Sequence, residues 1–124
     1  MRFRAASHLR RPPEFRKVRS EGRRYHCGGF VLWAARRTAG DSVVTACTRA
    51  GFVASKAAVG NAIARNRAKR RLREVFRHHQ NRIPADTDLV FVARRSLNGL
   101  DYTEIEQRFL KACGDLFPAT DPDS

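Results

Sequence analysis

A single-domain α+β sandwich, with a mixed sheet of about four strands and three helices packed on it, is the fold class that this 124-residue sequence predicts. Three observations carry it. Residues 61–79 and 101–116 repeat apolar side chains at helical spacing, while Phe30-Val31-Leu32-Trp33 and Leu89-Val90-Phe91-Val92-Ala93 have the length and composition of strands. No internal repeat or long linker divides the chain, and 42% apolar residues suffice for one core.

The elements follow in order. Residues 8–22 read as a short helix: Pro12-Pro13 suits a first turn, Phe15 and Val18 share a face, and Gly22 is expected to end the helix in the left-handed conformation. Residues 23–55 read as strands. Phe30 to Trp33 is bounded by Gly28-Gly29 and by Arg36-Arg37 with the turn signal Gly40-Asp41. Val43, Val44, Thr45, Thr48, Phe52 and Val53 make residues 42–55 rich in β-branched side chains, with Gly51 expected at a bulge. The helix over 61–79 carries an apolar stripe of Ala64, Ala68, Leu72, Val75 and Phe76. After a turn at Pro84 and the strand 89–93, a last helix starts near Asp101, where Asp101 and Glu104 stand in capping-box spacing. Its core face is Ile105, Phe109, Cys113 or Ala112, and Leu116. The order is α-β-β-(β)-α-β-α, with a domain over 1–117 and residues 118–124 read as a frayed tail.

Charge narrows the function. Lys and Arg number 25 against 12 Asp and Glu, a net +13, and residues 101–124 hold six of the acidic side chains but only two of the basic ones. So cationic a domain repels itself unless a polyanion is near, which leaves nucleic acid or an anionic membrane surface as partner and argues against an enzyme for cations. The apolar runs are strand-length, and no apolar region follows the basic start Met1-Arg2-Phe3-Arg4, so no membrane is expected. Cys27, Cys47 and Cys113 are odd in number and widely spaced, which supports neither a disulfide framework nor a zinc site and fits a reduced cytoplasmic interior.

From Arg65 to Arg77 seven of thirteen residues are basic, six of them Arg. A charge run on a helix is usually a solvated face balanced by i,i+4 partners, but here only Glu74 offers one. Asn66, Lys69, Arg70, Arg73 and Arg77 fall opposite the apolar stripe, a cationic ridge about 16 Å long at 1.5 Å per residue. Arginine forks suit phosphates and stack on bases, so nucleic acid is the reading. Strands flank the helix on both sides, unlike a helix-turn-helix protein, and no DNA is expected. Phe15, Phe30 and Trp33 are aromatics on which unpaired RNA bases could stack. Core packing is the plainer account of Phe15 and Phe30, whereas alternation sets Trp33 on the face opposite Leu32.

The stretch from Ser55 to Arg77, with Arg65-Asn66-Arg67 followed by Lys69-Arg70 and Arg73-Glu74, resembles the signature of the bacterial ribonuclease P protein component. Glu14-Phe15 with Val18, Phe30 to Trp33, Gly51-Phe52, residues 88–95 and the last helix also fall in that family's order, so the resemblance covers roughly residues 8–115. It implies a protein without catalytic residues of its own. In the family, a large RNA with magnesium ions removes the 5′ leader of precursor tRNA, and the protein binds both RNAs and broadens the substrates accepted. Carried over, Arg65, Asn66, Arg67, Lys69, Arg70 and Arg73 would contact ribonuclease P RNA. Phe15, Arg19, Val31, Trp33 and Lys56 would line the leader cleft between the first helix and the sheet. The resemblance also implies a left-handed β-α-β crossover. Arg19 stands where the family usually has an aromatic, Trp33 where Tyr is commoner, and Ala57 where a second Lys is frequent.

Two rivals remain at this level. A ribosomal protein would share the composition but not the Arg-Asn-Arg signature. A nuclease with its own active site needs clustered carboxylates for metal ions. Residues 1–100 hold only Glu14, Glu21, Asp41, Glu74, Asp86 and Asp88, and the last two read as the end of a turn. His8, His26, His78 and His79 show no metal-site spacing, and His78-His79 suits the C-terminal end of a helix dipole.

Overall fold

Strands β2, β3 and β4 are rich in apolar side chains that must be hidden, and helices pack on both sides of the sheet to do so. The computed structural model describes residues 12–36, 48–84 and 87–117. In chain order the elements are α1 (Pro12–Glu21), β1 (Arg23–His26), β2 (Phe30–Arg36), β3 (Arg49–Val53), α2 (Lys56–Val59), α3 (Ala62–His78), β4 (Thr87–Ala93) and α4 (Tyr102–Leu116). The strands form one mixed sheet in the order β1-β2-β4-β3. β1–β2 and β2–β4 are antiparallel, whereas β3 and β4 are parallel neighbours joined through α2 and α3. The predicted α+β class is therefore present, with the single turn of α2 as a fourth helix.

Alternation along the strands divides the core. Phe30, Leu32 and Ala34 of β2, with Phe52 of β3 and Leu89, Phe91 and Ala93 of β4, face α3 and α4. Ala68, Leu72, Val75 and Phe76 of α3 and Ile105, Phe109, Ala112, Cys113 and Leu116 of α4 complete that cluster. The opposite face is smaller: Val18 of α1 and Val90 of β4 are buried, with Phe15, Trp33, Ala35, Val53 and Val92 packed around them. Tyr25 of β1 donates its hydroxyl hydrogen to Asp115, and Arg108 donates to the carbonyl of Cys27 at 3.0 Å, so side-chain bonds join α4 to the first hairpin.

The local reading holds at the Asp101 capping box and fails at two glycines. Asn61 caps α3 by accepting from the Ala64 amide at 2.9 Å, and Asp101 and Glu104 close the expected capping box on α4. Gly22, by contrast, does not take the left-handed conformation, since among the described residues positive φ occurs only at Gly28 and Gly60. Its amide donates to the Val18 carbonyl at 2.8 Å, and a Cβ would lie 2.3 Å from that oxygen and 2.7 Å from the Ala34 oxygen. Close approach of backbone is what requires glycine there. Nor is Gly51 a bulge: it pairs with Val90 inside an unbroken register from Arg49 to Val53. The strand reading of residues 42–47, Asp41 and the tail 118–124 fall outside the described residues.

Candidate nucleic-acid interface

The apolar stripe fixes how α3 is rolled against the sheet, and the roll decides which cations reach solvent. With Ala68, Leu72, Val75 and Phe76 buried, Ile63, Asn66, Arg67, Lys69, Arg70 and Arg73 line one shallow open groove of about 500 Å³. Asn66, Arg67 and Arg70 are exposed; Arg65, Lys69 and Arg73 are half-buried. The Arg73 guanidinium carbon lies 5.4 Å from the centroid of the Phe52 ring, close enough for a cation–π contact that holds the fork at the rim of the core. The Nε atoms of Arg65 and Arg73 are buried with no hydrogen-bond partner among the described residues.

Of the seven cations in the run 65–77, two are engaged within the fold, and one of these, Arg77, shortens the ridge. Arg71 donates to the carbonyl of Leu97 at 3.2 Å and to that of Leu100, tying α3 to the 3-10 turn Arg95–Gly99. Burial, and then the charge of Arg67, lower its pKa. Arg77 was expected on the ridge but reaches back to Glu74, donating at 2.8 and 3.0 Å. That hydrogen bond is the main reason the Glu74 carboxyl titrates below its usual range. Arg73 keeps its place in the groove while its guanidinium also meets the Phe52 ring.

On the other face of the sheet, Trp33 is half-buried and stands opposite Leu32, as alternation predicts. The guanidinium carbons of Arg19 and Arg24 each lie 5.6 Å from its ring centroid. Phe15 packs in the same cluster with Val18 and Val90. Trp33 thus combines packing with a partly open ring, and truncating it removes contacts with the cluster as well as an exposed surface. Val31 shares this face but is only 4% exposed. Phe30 is 1% exposed, its ring 6.0 Å from that of Phe91, and so belongs to the core. Lys56 is exposed at the first position of α2, three residues after Val53 of the same apolar cluster.

The Ribonuclease P family model matches residues 3–116, nearly the whole of this arrangement. The chain belongs to the ribonuclease P protein family.

Relatives bear this out. The chain is 44% identical over 95 residues to the ribonuclease P protein component of Chloroflexus aurantiacus, covering 74% of this chain and 63% of that one. It is 35% identical over 108 residues to the ribonuclease P protein component of Desulfovibrio desulfuricans, covering 82% and 76%. The match with the Chloroflexus relative thus spans just under two thirds of that protein's length. Among solved structures, the RNase P protein from Thermotoga maritima superposes with a TM-score of 0.72 at 25% identity, over 87% of this chain and 96% of that one. The Staphylococcus aureus RNase P protein shares the fold with a TM-score of 0.74 at 23% identity, over 90% and 97%.

Against this ribonuclease P fold, the remaining polar groups sort into braces. Asp88 was expected to end a turn but lies within β4, where Arg49 of the neighbouring strand holds both its oxygens at 2.9 and 2.7 Å. Asp86 and His8 lie outside the described residues. His79 meets Glu106 at 2.8 Å and His78 meets the Tyr102 hydroxyl at 2.7 Å, joining the end of α3 to α4. Cys27 and Cys113 are buried free thiols, pushed up to about 12 chiefly by desolvation, and Cys47 lies outside the described residues. Among the described residues, no group of three or more His, Cys, Asp or Glu is placed to hold a metal ion. No helix among them is long and apolar enough to cross a membrane. Sequence reading missed two groups at the sites. Arg24 could have been found from the hairpin register, which sets it directly opposite Trp33. Ile63 could have been found as an apolar residue standing one position off the stripe.

Proposed function

We propose that this chain is the protein subunit of ribonuclease P, working in the cytoplasm on the 5′ maturation of tRNA. The observation that carries the reading is the gathering of Asn66, Arg67, Lys69, Arg70 and Arg73 along one groove of α3, in a chain of this family. Side by side, these groups neutralise successive phosphates of ribonuclease P RNA, and the release of its counterions drives association. The half-open face by α1 receives the leader of precursor tRNA. Trp33 and Phe15 offer surfaces for bases, Arg19 and Arg24 supply positive charge beside the ring, and Lys56 adds an exposed cation at the start of α2, whereas Val31 is too buried to meet the leader. Holding the leader adds binding energy that does not depend on the tRNA body, which broadens the substrates accepted.

Phosphodiester hydrolysis falls to the RNA and its magnesium ions, which activate water and stabilise the leaving oxygen when bound there. The described residues of this chain do not form a site for that metal. Asp88 is paired with Arg49, Glu74 with Arg77, Glu106 with His79 and Asp115 with Tyr25. Its part is to bind and orient.

The test is the triple variant Arg67→Ala/Lys69→Ala/Arg70→Ala, which spares Arg65 because of its buried Nε. Affinity for ribonuclease P RNA should fall, and the slope of log affinity against log salt should lessen by about 0.7–0.9 per lost contact. Helical content should persist. Unchanged affinity and slope, or cleavage of precursor tRNA by the protein without RNA, would overturn the reading.

A further inference from the structure

Ile63 is 79% exposed and is the one exposed large hydrophobic side chain among the described residues. It sits in the first turn of α3, one position before the half-buried Ala64, so the core has no use for it. It also does not stand alone on the surface. It lines the same groove as Asn66, Arg67, Lys69, Arg70 and Arg73.

An apolar side chain ringed by cations and an amide selects its occupant by exclusion. An apolar protein surface would strand the cations without counter-charge, and an acidic one would offer Ile63 nothing to cover it. RNA satisfies both, with phosphates for the arginines and the flat apolar face of a base for the isoleucine. The base must be unpaired, because in an A-form helix base faces are stacked inside and the deep groove does not admit side chains. Branched aliphatic side chains serve as wedges against base faces in other nucleic-acid complexes. Asn66, one turn along, carries both a donor and an acceptor for a base edge. We propose that Ile63 is the apolar contact for an unpaired nucleobase of the RNA bound along α3. This inference rests on the RNA-binding reading of that helix.

The experiment uses the full chain and the ribonuclease P RNA that co-purifies with it, transcribed in vitro, with affinities measured across a salt series. Ile63→Ala should weaken binding about tenfold, from the apolar area that no longer leaves water. The salt slope should stay unchanged, because no phosphate contact is lost. Ile63→Leu should recover affinity to within about twofold, as expected of a volume-conserving swap. Arg70→Ala, measured in parallel, should lower the slope. If Arg70→Ala behaves so while Ile63→Ala binds like the parent, the Ile63 assignment falls and the RNA-binding reading stands. If Ile63→Ala flattens the slope, its role is to place the cations and the base contact is overturned. If neither variant alters binding, both readings fall together.

Discussion

The two faces of the sheet are built from alternate residues of the same strands, yet they are covered very differently. On one face Phe91 is fully buried, stacked on Phe52 at 5.1 Å and Phe109 at 5.5 Å, with Phe76 edge-on at 6.1 Å. Two long helices close that side. On the other, among the described residues α1 packs Val18 onto Val90, and Phe15, Trp33, Val53 and Val92 stay half-open to solvent. The closed face supplies stability. The half-covered face leaves apolar surface partly open to water, a standing cost that α1 only partly offsets.

Neighbouring residues of β4 test this division most directly. Phe91→Ala should destabilise the fold by about 3–5 kcal/mol, as truncation of a core aromatic does. Val90→Ala, one residue away on the other face, should cost only about 1–2 kcal/mol from two lost methylene equivalents. Urea unfolding of the two variants measures the gap; equal losses would erase the contrast. A smaller, two-part effect is expected at Trp33. Trp33→Ala should lower stability by about 2 kcal/mol, less than for a closed core because the ring is already half-open. It should also reduce the preference of the holoenzyme for precursor over mature tRNA by about tenfold, one stacking contact. Loss of stability with that ratio intact would make the half-covered face a second core and nothing more.

The smallest effect concerns the thiols of the closed face. Cys27 and Cys113 titrate at about 12 in the fold, against about 8.5 in an unfolded chain. A raised folded pKa favours the neutral thiol, so its contribution is full below about pH 8.5 and is lost as pH climbs toward 12. Stability should therefore fall by about 1 kcal/mol per thiol by pH 9.5. The Cys27→Ala/Cys113→Ala variant, less stable at the outset, should lose less over the same range. Parallel pH profiles for parent and variant would mean that these thiols are not closed off from water.

What could be read in the sequence was whatever depends on residues near one another in the chain. The capping box at Asp101, the stripe of α3 and the alternation that turns Trp33 away from Leu32 are all local, and all are present. The errors come from contacts between distant segments. Gly22 was read through its own conformation, but the Ala34 carbonyl twelve residues on is what excludes a side chain. Asp88 has the look of a turn residue until Arg49 is brought beside it by the parallel pairing. Likewise, seven cations on a helix cannot be told apart by periodicity. Only the packing of α3 reveals that Arg71 is spent on the carbonyls of Leu97 and Leu100, and that Arg73 rests on Phe52.

The parallel pairing of β3 with β4 has a consequence for how the molecule comes into being. These strands are adjacent in the sheet, but α2 and α3 lie between them in the chain, so the loop that must close before they zip together contains the cationic helix. Closing it costs entropy that only the finished pairing returns, which puts β3–β4 among the late events of folding. α3, with its own cap and local bonds, can form earlier but has no fixed roll until Phe52 and Phe91 meet beneath it. Charge is present in the chain from its synthesis, whereas its alignment into a row is acquired in the closing step. An incompletely folded chain is therefore a diffuse polycation, and the ordered row of cations arrives together with the last strand.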